Sequence, residues 1–274
     1  MSALFLGIGA GVGWGVSDFL GGLAGRKGRL FAVLAFSQIA GLIVMLTLVA
    51  ILTPPLLGGM ASLWAVLAGL AGGAGVIALY RGLAVGSMSL IAPISALAVV
   101  VPVAAGLIQG ERPAALVSAG ILLAIIGSVM AGYAPGKATT TGVGMAVLAA
   151  LGFGFGFVFI DIAAEEGALW AFTTSRIGSA VLIIGVAAAT LGVPRLRRSV
   201  AVLASSAGAV EASAGLAFAA ATTVGLLSVV AVLSSLYPAI TLGLAFVVLG
   251  ERLGGIQWVA VVLLLAGVAA IAAG

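Results

Sequence analysis

Residues 3–24, ALFLGIGAGVGWGVSDFLGGLA, form an apolar run that is long enough to cross a membrane and yet contains a carboxylate, Asp18. A helix of this length spans about 33 Å, and the hydrocarbon core of a bilayer is roughly 30 Å thick. The run has no basic segment before it and is longer than the apolar core of a cleavable signal peptide. We therefore expect it to remain in the mature chain as a transmembrane helix.

Similar apolar runs fill the rest of the chain. Of the 274 residues 64% are hydrophobic and 7% are charged, whereas about 25% of the residues of a soluble domain are charged. Ten runs approach or exceed the roughly 20 residues that a spanning helix requires. They cover residues 3–24, 30–52, 61–83, 88–108, 114–133, 142–162, 169–191, 200–222, 226–248 and 255–273. The sequence predicts an all-α polytopic membrane protein with ten transmembrane helices.

Several function classes are disfavoured by the missing residue types. The chain contains no cysteine and no histidine, which argues against disulfides, ordinary zinc sites and Ser-His-Asp or Cys-His hydrolases. An intramembrane enzyme would need Asp18 to meet Asp161 or Glu211, and nothing in their spacing indicates this. A channel lacks support because there is no repeated ring of charges and no filter-like segment. We expect no enzymatic activity, no cofactor and no metal.

The net charge of +4 is explained by membrane topology rather than by nucleic-acid binding. Cytoplasmic loops of membrane proteins are enriched in Lys and Arg. The loops after the odd-numbered spans, together with the span ends next to them, hold most of the basic residues, namely Arg26, Lys27, Arg29, Arg81, Lys137, Arg195, Arg197, Arg198 and Arg252. We call that side of the membrane the basic side, and the opposite side, which holds Arg112, Glu165 and Glu166, the acidic side. This distribution predicts periplasmic termini.

The two halves of the chain resemble each other. The tripeptide Gly-Glu-Arg occurs at 110–112 and at 250–252, and ALYRGLAVG at 78–86 matches AFAAATTVG at 217–225. The offset is 140 residues for the first pair and 139 for the second (250 − 110 and 217 − 78). Five spans therefore repeat as five spans, and an odd number forces the two copies to face opposite ways, as in many secondary transporters.

The predicted repeats cover residues 1–137 and 138–274, and APGKATTT at 134–141 is the natural linker between them. Both Gly-Glu-Arg motifs are expected to cap and anchor helix ends at the membrane interface.

Taken together these motifs resemble the EamA family of the drug/metabolite transporter superfamily, and the resemblance covers essentially the whole chain. The motifs that carry it are Trp14-Gly15, Phe153-Gly154, Ala78-Leu79-Tyr80-Arg81, Pro238 placed before Glu251, and the repeated Gly-Glu-Arg. The chain departs from the pattern at Ala98, which takes the place of Pro238 in the first half, and at Gln38, which takes that of Arg176. The resemblance implies a multi-pass carrier of the bacterial inner membrane that moves small metabolites, amino-acid exporters of the YddG type being members.

Three charged residues lie well inside predicted spans. A charge in a spanning helix is costly and usually faces the bundle interior or a wet cavity, which makes Asp18, Arg176 and Glu211 candidates for the substrate site. Each also has a structural interpretation. Asp18 could reach the interface or a loop arginine, Arg176 could pair with Glu165 or Glu166, and Glu211 could bond a neighbouring helix.

The first helix has two faces of different character. Gly11, Trp14, Gly15, Asp18 and Gly22 share one face, which we expect to border a cavity through Trp14 and Asp18. The other face is a ridge of small residues that favours close helix packing, formed by Gly9, Gly13, Ser17 and Gly21. Aromatic candidates for substrate contact, or for simple space filling, are Trp14, Tyr80, Phe153, Phe157 and Tyr237.

The function that fits these features is an alternating-access carrier that exports small metabolites, with amino acids as the leading substrate class. Asp18 or Glu211 would bind an ammonium group or a coupling proton, and Arg176 a carboxylate. The alternative is a proton-coupled exporter of cationic aromatic drugs, with Glu211 as the exchange carboxylate. Expected partners are the lipid bilayer and a small-molecule substrate, with protons as a candidate coupling ion, no nucleic acid, and a monomeric or homodimeric state.

Overall fold

The computed structural model describes residues 2–86, 88–131, 141–191, 195–250 and 254–274. The predicted linker apart from Thr141, and the second Gly-Glu-Arg motif apart from Gly250, lie outside the described residues.

The described part of the chain is helical and contains no strand. Its α-helices are α1 (Ser2–Gly25), α2 (Leu30–Leu52), α3 (Gly59–Val85), α4 (Met88–Ala96), α5 (Val100–Ile108), α6 (Ala115–Ala131), α7 (Val143–Leu191), α8 (Arg198–Thr222), α9 (Leu227–Ser234), α10 (Tyr237–Leu249) and α11 (Gly255–Ala273). One turn of 3-10 helix, Leu97–Val99, joins α4 to α5. The all-α prediction is confirmed for these residues.

Eight helical segments of the described chain are long and apolar enough to cross a membrane, when α4 with α5 and α9 with α10 are each counted as one segment. A further apolar helix, α6, is shorter, and α7 runs for 49 residues. At Gly167 the backbone of α7 leaves helical geometry (φ 160°, ψ 106°), which divides the helix into arms at 143–166 and 168–191. The count of ten crossings and their arrangement as inverted repeats stay a prediction.

A proline marks the division of another apolar segment into two helices. Pro238 lies in the first turn of α10, just after Ser235 and Leu236 interrupt the helix that α9 began. Proline has no N–H to donate and disfavours the interior of a helix, but it is well suited to a first turn. The apolar segment from Leu227 to Leu249 therefore forms two helices rather than one.

Small residues allow the helices to approach closely. At Gly69 of α3 an added Cβ would collide with the backbone of Ser175 in α7, and at Gly13 of α1 it would lie 2.7 Å from Ala214 of α8. The hydroxyl of Ser17 donates to the carbonyl of Ala207 at 2.9 Å. Since lipid tails are as apolar as the side chains, van der Waals packing of this kind and interhelical hydrogen bonds hold such bundles together.

The packing divides most helices into two groups. One, the α3 group, consists of α3, α4, α5 and the first arm of α7, and the other, the α1 group, consists of α1, α8, α9 and α10. The second arm of α7 packs on both α3 and α8. The helix α2 packs on both α7 and α8, while α6 packs mainly on α11.

The two groups meet at one end and separate at the other. On the acidic side, where α5 ends and α9 begins, these two helices pack against each other. On the basic side their continuations α4 and α10 make no comparable contact within the described residues. The interior between the groups is therefore more open towards the basic side.

Candidate functional site

Asp18 lies in this opening, where three helices converge. Its side chain is exposed although it belongs to a predicted membrane span. The carboxylate of Asp18 lies within electrostatic range of the hydroxyls of Tyr80 in α3 and Tyr237 in α10, so these three predicted site residues face the same region. A carboxylate beside two tyrosines can accept hydrogen bonds and bind an ammonium group, for which the aromatic rings add a favourable surface.

Three aromatic rings close the cavity one helical turn from Asp18. Trp14 packs against Phe157 and Phe218 with ring centroids 5.4 and 5.5 Å apart, and the two phenylalanine rings are 4.8 Å apart. We call these residues the aromatic triad. Because Trp14 and Phe218 belong to the α1 group and Phe157 to the α3 group, the triad closes the space between the two groups.

Beyond the aromatic triad, towards the acidic side, the interior is sealed. Ala10, one turn from Trp14, has no exposed surface, and Thr222, one turn from Phe218, is 8% exposed. Asp161, one turn from Phe157, lies within hydrogen-bonding reach of the Thr222 hydroxyl. The exposed side chain of Asp18 on one side and the buried side chains of Ala10 and Thr222 on the other indicate a cavity with a single open end.

Arg176 and Glu211, predicted as separate binding groups, form an ion pair with each other. The guanidinium also donates to the carbonyl of Gly208 at 3.2 Å. It lies so close to Gly41 of α2 that an added Cβ there would collide with it. Arg176 is 5% exposed and Glu211 is 32% exposed. The pair thus connects α7 with α8 and presses against α2.

The prediction that Arg176 could pair with Glu165 or Glu166 was wrong. The exposed residue Glu166 accepts a hydrogen bond from the backbone N–H of Gly58 at 2.7 Å instead, and it is Glu211 that faces the guanidinium. Glu166 ends the first arm of α7, whereas Arg176 lies nine residues beyond Gly167 in the second arm, about 13 Å along the helix. A buried guanidinium neutralised in this way is poorly placed to meet a substrate carboxylate.

A second polar contact lies beside the pair. The hydroxyl of Ser179 donates to the backbone carbonyl of Arg176 at 3.1 Å and is 3.4 Å from the side-chain oxygen of Gln38. Gln38 and Arg176 occupy matching positions in the proposed repeats. The contacts of Ser179 place both positions at the interface between α2 and α7.

The remaining aromatic candidates have packing partners. Phe153 lies against α3, where an added Cβ at Gly75 would be 3.0 Å from its ring, whereas Phe157 belongs to the aromatic triad. The predicted packing ridge of α1 is only partly used, since an added Cβ at Gly9 or Gly21 would meet nothing within 4 Å. The opposite face packs as well, because Gly15 lies against Tyr237 and Ile240 of α10.

Sequence reasoning missed Phe218 and assigned the first Gly-Glu-Arg motif no more than a general capping role. Phe218 follows Glu211 by two helical turns on the same face of α8, which was the available signal. The carboxylate of Glu111 accepts the backbone N–H groups of Leu227 at 2.6 Å and of Ser228 at 3.1 Å. The predicted capping role is confirmed for this motif, and the cap belongs to a helix in the other half of the chain.

No cluster of potential metal ligands is found among the described residues. The groups that the cavity offers are a carboxylate, phenol hydroxyls and aromatic rings, which are suited to binding an organic solute.

Comparison with known proteins finds a transporter family that is similar to the second half of the chain and a solved structure that has a similar fold over nearly all of it. Residues 140–273 match the EamA-like transporter family. A solved protein, described only as "Crystal structure of protein", superposes with a TM-score of 0.79 at 18% sequence identity, covering 98% of this chain and 96% of that chain. No curated protein matches. The second half is thus similar to a family of membrane transporters.

Proposed function

We propose that this protein is an alternating-access secondary carrier of the bacterial inner membrane with ten membrane crossings, arranged as inverted repeats at 1–137 and 138–274. The cavity that is open at one end and closed at the other is the single observation that carries the proposal. In inverted-repeat carriers one bundle rocks against another around a central site. The α1 group and the α3 group are suited to this role because the cavity lies between them.

The packing pattern supports the repeat. The third predicted span, α3, packs on α7, which contains the sixth, and the eighth span, α8, packs on the first, α1. The helices α5 and α9, which pack against each other, belong to the fourth and ninth spans, and these match in the proposed repeats. Gln38 and Arg176, which match by position, also meet at one interface. A two-fold relation between the halves accounts for all three pairings.

The proposed cargo is a small organic metabolite, with amino acids as the leading class. Asp18 would bind the substrate ammonium, the hydroxyls of Tyr80 and Tyr237 would donate to a carboxylate, and the aromatic triad would meet an apolar side chain. Arg176 and Glu211 then act as a structural pair next to the site. Export is the proposed direction, and the proton is a candidate coupling ion.

One observation favours a second candidate, an exporter of cationic aromatic drugs. Asp18 is an exposed acidic group beside tyrosines, whereas the buried cation Arg176 is neutralised by Glu211. A cavity with an accessible negative charge and aromatic walls suits a cation that has no carboxylate. In this alternative the exchange carboxylate is Asp18 rather than Glu211.

Counterflow in liposomes tests both candidates. Purified protein is reconstituted, the liposomes are loaded with unlabelled amino acids, and labelled Phe, Met, Thr or Lys is added outside, with a quaternary-ammonium dye in parallel experiments. Accumulation of a labelled amino acid supports the metabolite carrier, and movement of the dye alone supports the drug exporter.

Variants at Asp18 test whether this residue belongs to the substrate site. Asp18→Asn removes the charge at nearly constant volume, and we expect it to slow counterflow by about tenfold or more, as for loss of a hydrogen-bonded charge. Asp18→Glu keeps the charge and is the matched control. Wild-type counterflow by Asp18→Asn would remove Asp18 from the site, and absence of counterflow for every compound would reject both proposed classes of cargo.

A further inference from the structure

The N-terminus of α9 is capped from outside its own half of the chain. Its N-cap residue, Leu226, has no side chain that could cap the helix. The first two N–H groups of the helix, those of Leu227 and Ser228, donate instead to the two carboxylate oxygens of Glu111, at 2.6 and 3.1 Å. A carboxylate at a helix N-terminus satisfies unpaired donors and is favoured by the helix dipole.

Glu111 itself is held by the helix that precedes it. It follows α5, its own N–H donates to the carbonyl of Gly106 at 2.9 Å, and its carboxylate lies where a Cβ on Gly106 would be. The same carboxylate thus contacts α5, in the α3 group, and α9, in the α1 group. It bridges the groups on the acidic side, where they pack against each other.

We infer that Glu111 is a latch, whose carboxylate holds α5 against α9, and that the cavity opens to the acidic side when its two hydrogen bonds to α9 break. This inference rests on the proposed function, because only a carrier that alternates needs this end to open. A bridge made of two hydrogen bonds to a charged acceptor is strong enough to favour one state and can still be broken reversibly.

A second carboxylate provides a natural control. Glu166 also accepts a backbone N–H near a helix N-terminus on the acidic side, that of Gly58 before α3. However, α3 and α7 pack along each other and belong to the same group. Breaking this cap frees a helix end without separating the two groups, so Glu166 has the chemistry of the latch without its position.

The chain contains no cysteine, so single cysteines can report on each end of the cavity. Thr222→Cys places a thiol beyond the aromatic triad on the closed side, where the side chain is 8% exposed. Gly22→Cys places one on the open side, one turn past Asp18, at a position where a Cβ meets nothing within 4 Å. A bulky water-soluble maleimide is added to the protein in detergent, so that both ends are reachable whatever the membrane orientation.

Glu111→Ala should raise the labelling rate of Thr222→Cys by about tenfold or more, because loss of a hydrogen bond to a charged group shifts an equilibrium by at least that factor. The rate at Gly22→Cys should fall as the open end closes. Glu111→Gln, which keeps one acceptor oxygen, should give a smaller change and serves if the alanine variant does not fold. Glu166→Ala should leave both rates unchanged.

Unchanged labelling of Thr222→Cys in both Glu111 variants would overturn the latch, as would an equal increase in Glu166→Ala. Because labelling needs no substrate, the outcome is separate from that of counterflow. Counterflow with unchanged labelling would reject the latch alone, whereas a labelling shift without counterflow of any compound would keep the latch and reject the proposed cargo.

Discussion

Asp18 and Glu211 are both carboxylates inside membrane spans, but their surroundings differ. Glu211 faces a buried guanidinium, that of Arg176, which also bonds the backbone of α8. Asp18 is exposed in a cavity and has two tyrosines nearby. The difference shows that a charge in a span does not by itself mark a substrate site. What distinguishes the two roles is whether the opposite charge is supplied by the protein or left to a ligand.

The largest difference in stability is expected when each carboxylate is replaced by the uncharged amide of the same shape. Glu211→Gln leaves the buried Arg176 without its counter-charge, and breaking a buried pair costs about 3–5 kcal/mol of stability. Asp18→Asn should change stability by no more than about 0.5 kcal/mol, as for other substitutions of exposed groups. Thermal unfolding of the purified variants in one detergent measures both.

The double variant Arg176→Met/Glu211→Met separates the pair from the site. Replacing both partners of a buried ion pair by apolar groups is often neutral, so this variant should recover most of the stability that Glu211→Gln loses. If it also retains counterflow, the pair has a structural role only. Equal destabilisation by Asp18→Asn and Glu211→Gln would contradict the distinction between the two carboxylates.

The positions of several helices could be anticipated from the sequence, whereas the packing between helices and the pairing of charges could not. The predicted span 30–52 coincides with α2, and 88–108 covers α4 to α5, because hydropathy and glycine or proline punctuation act locally. Arg176 and Glu211 are 35 residues apart and meet only through the packing of α7 on α8. No local pattern contains that information.

The sequence also did not indicate which end of the cavity is open. The face of α1 with Trp14 and Asp18 was recognised from helical periodicity, yet the same pattern did not indicate that Gly15 on that face packs against α10. Which side of the cavity is closed depends on Phe218 and on the contact between α5 and α9. These are tertiary features that repeat symmetry alone would assign equally to both ends.

A second comparison of the two regions uses their glycines. At Gly208, beside the ion pair, an added Cβ would collide with the backbone carbonyl of Ser37 in α2, while at Gly22, near Asp18, it would meet nothing within 4 Å. Gly208→Ala should therefore cost about 1–3 kcal/mol, as overpacking does. Gly22→Ala should raise stability by up to about 1 kcal/mol through helix propensity. Thermal unfolding of the two variants tests the assignment of a packed and an open region, and a stable Gly208→Ala would show that α2 and α8 are not in close contact there.

The smallest expected effect on stability is that of Ser179, which lies beside the ion pair of Arg176 and Glu211. Ser179 donates to the carbonyl of Arg176 within its own helix and is 3.4 Å from Gln38, a long contact for a hydroxyl donor. Because the main partner is local, Ser179→Ala should cost only about 0.5–1 kcal/mol, the usual net contribution of one neutral hydrogen bond. Gln38→Leu, which removes the other side of the contact, should then have little further effect when combined with Ser179→Ala. A large coupling between the two substitutions in a double-mutant cycle would mean that the contact between α2 and α7 depends on this hydroxyl. The polar cluster would then include Ser179 and Gln38 as well as Arg176 and Glu211.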